Sequence, residues 1–123
     1  MSGRERPVLV VVGGWLLVVL FGGLVAVGAD EPASGAIFAG VGLAMAAWVA
    51  FRPSAAAFVV SVVLGLLHTA EQIAYLASDL TGSAPVTTVL ADAFGLLGGL
   101  VVVGGSAVAL RRRRSSDVGE PVG

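Results

Sequence analysis

The chain contains no cysteine and no lysine, and its one histidine is His68. Missing thiols exclude disulfides, thiolate metal sites and cysteine nucleophiles; missing amines exclude lysine Schiff bases. Charge is scarce as well: Asp, Glu and Arg make up 12% of the 123 residues, against 57% hydrophobic. A water-soluble domain carries about 25% charged residues. With a mean hydropathy of +0.99, the chain belongs in a bilayer. The signatures of soluble catalysis are missing too: there is no G-x-S-x-G and no glycine-rich phosphate loop set between a strand and a helix. The Gly-Gly pairs lie inside apolar runs, and nothing in the sequence requires a cofactor.

What is present is four apolar runs. Crossing about 30 Å of hydrocarbon takes roughly 20 mostly apolar residues, and residues 8–28, 35–51, 54–78 and 86–110 each meet that length. Polar or helix-breaking steps separate them: Asp30, Glu31 and Pro32, then Arg52 and Pro53, then the stretch from Asp79 to Pro85. Proline disfavours helix in the residue before it. The first run is too long for the 7 to 15 apolar residues of a secretory signal, so it is expected to remain as a span. Residues 1–7 form a short N-terminal segment, and 111–123 form a tail that is basic and then expected to be disordered. The fold expected is all-α, an integral membrane four-helix bundle running up-down-up-down, with no extramembrane domain.

Net charge is only -1, but its distribution is strongly segregated. Arg4 and Arg6 precede the first run, Arg52 separates the second from the third, and Arg111, Arg112, Arg113 and Arg114 follow the fourth. The acids Asp30, Glu31 and Asp79 occupy the opposite ends. Basic and acidic ends therefore alternate at every crossing, and the positive-inside rule predicts both termini in the cytoplasm. An arginine block that abuts a span anchors anionic lipid, at about 1 kcal/mol per residue, rather than binding nucleic acid. The expected setting is a cell (inner) membrane; the lysine-free usage rich in Ala, Val, Gly and Arg fits a GC-rich bacterial genome.

Short links make consecutive spans antiparallel and predict that they are adjacent. Between helices in lipid, packing depends on small residues. Gly95 and Gly99 form a G-x-x-x-G, Gly42, Ala46 and Ala50 repeat at the same spacing, and Gly14, Gly22 and Gly23 thin the first span.

Polar groups concentrate in the third run. His68, Glu71, Gln72 and Tyr75 fall within about a third of a helix circumference, and Ser61, Gly65 and Asp79 extend the stripe. Ionisable groups in hydrocarbon face the bundle interior, water or each other, so the stripe should meet Asp92, the one acid of the fourth run. Glu71 and Asp92 both lie about 10 Å in from the helix ends at 1.5 Å per residue. Two carboxyls this close require a proton on one of them or a cation between them. His68 adds a counter-charge, a relay or a metal ligand. His68-x-x-Glu71 is half of a di-metal motif in reverse order, with no second copy, and two-histidine haem ligation would need a dimer.

These residues point to a small polytopic membrane protein, a structural or accessory subunit with an outward-facing polar pocket on spans three and four. The alternatives are a protein that transports protons, cations or a small ligand through His68, Glu71 and Asp92, and a metal- or haem-binding redox subunit. The partners expected are the bilayer itself and a second copy or another membrane protein. The orientation has a direct check. A reporter active only outside the cytoplasm should give signal when fused after Glu31 or Gly82 and none after Arg114; signal from the Arg114 fusion alone overturns the four-span arrangement.

Overall fold

A computed structural model describes residues 5–28 and 31–119. Arg4 and Asp30, which entered the charge pattern above, and the tail residues 120–123 lie outside the described residues. The described residues form four helices: α1 (Glu5–Gly28), α2 (Pro32–Phe51), α3 (Ala55–Thr81) and α4 (Val86–Gly119). Each is long and apolar enough to cross a membrane, and no strand occurs among the described residues. The protein is an all-α membrane-spanning bundle with antiparallel neighbours.

Local chemistry sets the helix ends. Pro32 opens α2 in its first turn, where a missing N–H costs nothing. Ser54 caps α3, its hydroxyl accepting from the Ala57 amide at 3.2 Å, which satisfies one otherwise orphaned donor. Helices α1 and α2 begin a few residues earlier than expected, and α3 ends at Thr81 rather than residue 78. The largest difference is at the C-terminus. Helix α4 continues past residue 110 through the four arginines to Gly119, where a disordered tail was expected from residue 115. Arginine is a good helix former, and no proline occurs between Pro85 and Pro121.

Helix α1 packs against both α2 and α4, and α3 packs against α4, while α2 and α3 barely meet. This corrects the expectation that consecutive helices would all be packed neighbours. Glycine accounts for the tight seams. A Cβ at Gly22 would lie 2.6 Å from the Ala39 nitrogen, and one at Gly35 would run into the Gly22 carbonyl and lie 2.6 Å from the Ala26 nitrogen. Helices α1 and α4 approach the same way, Gly98 lying against the Gly14 carbonyl. Most of the expected small residues also pack, although Ala50 is exposed. Gly42 meets Trp15 and Val19, Ala46 is buried, Gly95 meets Gln72 and Phe21, and Gly99 meets the Thr69 hydroxyl. Gly23 differs, with nothing near it: it faces away from the neighbouring helices. At the open seam the facing residues are large. Phe38 of α2 and His68 of α3 meet through their rings, with centroids 5.6 Å apart, and such side chains hold backbones apart.

The interior is asymmetric along the bundle. Toward the arginine end, Val11, Trp15, Val18, Met45, Val49 and Phe58 form a buried apolar core. The Trp15 indole N–H donates to the Ser61 hydroxyl at 3.2 Å, tying α1 to α3; such bonds contribute about 0.6 kcal/mol in membrane bundles. At this end Arg113 donates to the Pro53 carbonyl at 2.6 Å and lies over the Phe58 ring, pinning the α2–α3 link to α4. Outward-facing Leu, Val and Ile surround the bundle, as lipid requires.

The glycine seams predict a sharp contrast. Gly22→Ala and Gly35→Ala should destabilise the bundle by about 1–3 kcal/mol through overpacking. Gly23→Ala and Gly40→Ala, which have open space around the added methyl, should be neutral or gain up to about 1 kcal/mol of helix propensity. Unfolding in mixed detergent and SDS micelles measures this, and equal losses in both pairs would refute the assignment.

Candidate functional site

At the acidic end the bundle encloses a cavity of about 620 Å³ to which all four helices contribute. It forms because the α4 residues facing it are Thr87, Thr88 and Ala91, too small to fill the space between α1 and α3. Phe21, Leu24, Val25 and Phe38 supply apolar wall, and four carboxyl residues, Glu31, Glu71, Asp79 and Asp92, supply the charge. Among the described residues no arginine and no histidine lines it.

The polar stripe of α3 divides along two edges. His68, Thr69 and Gln72 are buried, whereas Glu71 and Tyr75 are exposed and line the cavity. The buried edge meets α4: His68 Nε2 lies 3.0 Å from the Gly95 carbonyl. A carbonyl only accepts, so this nitrogen carries the proton and donates. Phe21, Phe38 and His68 pack edge-to-face, with ring centroids 5.1 to 5.6 Å apart. Both phenyl rings line the cavity and the imidazole does not. Together the rings form a floor between the cavity and the apolar core.

Gln72 is 0% exposed, and neither amide atom has a partner among the described residues. Its Oε1 lies where a side chain on residue 95 would stand, so Gly95 is what admits it. Asp92 is 6% exposed and lines the cavity, with its Oδ2 unpartnered.

The carboxyls pair differently from the expectation that Glu71 would couple to Asp92. Asp92 has the carboxyl of Asp79 as an electrostatic neighbour, and Glu71 has Tyr75. The helical periodicity explains the change. Asp79 lies two turns from Gln72 along the α4-facing edge, while Glu71 lies about 100° around the helix from Gln72. His68 retains Glu71 as an electrostatic neighbour.

Among the described residues no three His, Cys, Asp or Glu side chains converge closely enough to hold a metal ion, so the geometry does not favour the metal reading of His68 and Glu71. The arginines lie at the far end: Arg52 beside the α2–α3 link, and Arg111, Arg112, Arg113 and Arg114 exposed on α4. Phe21, Phe38 and Glu31 went unnoticed as cavity residues from the sequence. The phenylalanines sit in uninterrupted apolar runs without a distinguishing signal. Glu31 read as a loop acid, although its place at the same end as Asp79 was the available clue.

A second, smaller hollow of about 160 Å³ lies in the seam between α2 and α3, over Trp15 and Val18. It shares Ile37, Phe38 and Glu71 with the larger cavity. Comparison with known proteins adds nothing to this geometry: no family profile, no curated protein and no solved structure matches the chain.

Proposed function

We propose that the chain is a small accessory or receptor-type subunit of a bacterial inner membrane, which holds a small ligand in an outward-facing pocket. Both termini lie in the cytoplasm, with Arg52 and the residue 111–114 block at the anionic inner leaflet, in accord with the positive-inside rule. The acidic-end cavity then opens to the outside. Its volume falls within the roughly 300 to 1,000 Å³ typical of ligand pockets.

One observation carries the choice of binding over conduction. The cavity ends on Phe21 and Phe38, and the buried polar groups deeper in the bundle, Ser61, His68, Thr69, Gln72 and Ser106, do not line it. A conduit needs polar groups or water along its length, and His68, the mid-membrane base, is bonded to the Gly95 carbonyl outside the cavity. Transport through His68, Glu71 and Asp92 would require the three-ring floor to part.

The cysteine-free chain offers a clean background for testing this. Thr88→Cys, on the cavity wall, should react with a membrane-impermeant thiol reagent applied from outside, and Val102→Cys, in the core, should not. Wild-type protein in sealed vesicles should pass neither protons nor potassium. Thr88→Cys reacting only from the cytoplasmic face would invert the orientation, and steady ion flux through the wild type would replace the binding role with a conduit.

A further inference from the structure

The four carboxyl residues of the cavity have no basic counterpart within it. Every arginine whose side chain is described, Arg6, Arg52 and Arg111 to Arg114, belongs to the opposite end of the bundle. Asp79 and Asp92 are like-charged neighbours on the cavity wall, and a cation beside them offsets their repulsion. Asp92 adds an independent sign of a ligand: it is buried, it lines the cavity, and its Oδ2 has no protein partner. On a mostly apolar wall, a carboxylate oxygen without a protein partner is left for water or a ligand to satisfy.

The remaining wall determines what kind of cation fits. An inorganic ion needs several oxygen ligands converging on one point, and no three acidic or histidine side chains converge among the described residues. Most of the surface is apolar, from Phe21, Leu24, Val25, Ile37 and Phe38, which suits a hydrocarbon or aromatic body. Phenyl and phenol rings also attract a cation through their faces, and Tyr75 stands beside Glu71 at the wall. The hollow in the α2–α3 seam borders the same wall at Ile37, Phe38 and Glu71.

We propose that the cavity binds a lipophilic organic cation, an ammonium or phosphonium with an apolar body, with Asp92 as its principal counter-charge. The proposal rests on the cavity being a ligand pocket and names what that pocket takes.

Tetraphenylphosphonium and tetraphenylborate have nearly the same shape and opposite charge, and they separate the possibilities. With the full chain in phosphatidylcholine nanodiscs, equilibrium dialysis should show saturable phosphonium binding and at least about tenfold weaker borate binding. Phosphonium should protect Thr88→Cys from thiol labelling. Asp92→Asn should weaken phosphonium binding at least about tenfold. Glu71→Gln, on an exposed side chain that tolerates change, should weaken it less and serves if Asp92→Asn does not fold. Borate, or neutral triphenylphosphine oxide, binding as tightly and protecting Thr88→Cys equally would overturn the cation assignment while leaving the pocket intact. Phosphonium binding without protection, or unaffected by both variants, would overturn it as well, since the ion would then sit elsewhere. If none of the three compounds binds or protects, the pocket itself fails.

Discussion

Lipid solvates leucine and valine as well as another helix does, so these helices are held together by how closely their backbones approach. The closest approaches centre on α1. Gly22 and Gly35 bring α1 and α2 together, and Gly14 and Gly98 bring α1 and α4 together. With α1 fixed between two partners, Phe21 is placed against Gly95 of α4 and beside the rings of Phe38 and His68. The floor of the cavity is thus a consequence of the glycine seams.

The two halves of the bundle solve the same packing problem with different residues. Toward the arginines, Trp15, Phe58, Met45 and several valines fill the interior, and Arg113 fastens the α2–α3 link. Toward the acids, threonine and alanine on α4 leave space, and the polar edge of α3 turns toward it. Interiors lose contact energy wherever side chains fail to fill them. A cavity of this size beside buried polar atoms is therefore a feature the packed half must stabilise. The contrast between halves also separates the charges, with the described arginines at the packed end and the cavity's carboxyls at the other.

Most of the fold was legible in the sequence because its signals are one-dimensional. Span length and the proline and polar steps between the spans act within a few residues. The small-residue seams were partly legible: Gly42, Gly95 and Gly99 pack as expected, while Gly23 does not. Spacing defines which residues share a face; it does not say which neighbour that face meets. The polar stripe of α3 was found whole, yet His68 and Gln72 went to one side of it and Glu71 and Tyr75 to the other. A stripe wide enough to span two environments is divided by the helix that packs on it.

By itself, the sequence determined that this is a membrane protein of four apolar helices, with charge segregated to opposite ends and a polar third helix that must face inward. Those conclusions follow from the solvation of each residue in water or hydrocarbon, which depends on the residue alone. Tertiary structure decided the partners: Asp92 beside Asp79 rather than Glu71, His68 on the Gly95 carbonyl, and an open seam between α2 and α3. It also decided that Phe21 and Phe38, ordinary members of apolar runs, close the floor of the cavity. Those outcomes depend on helix rotation and separation, which close contacts between residues far apart in the chain alone can set.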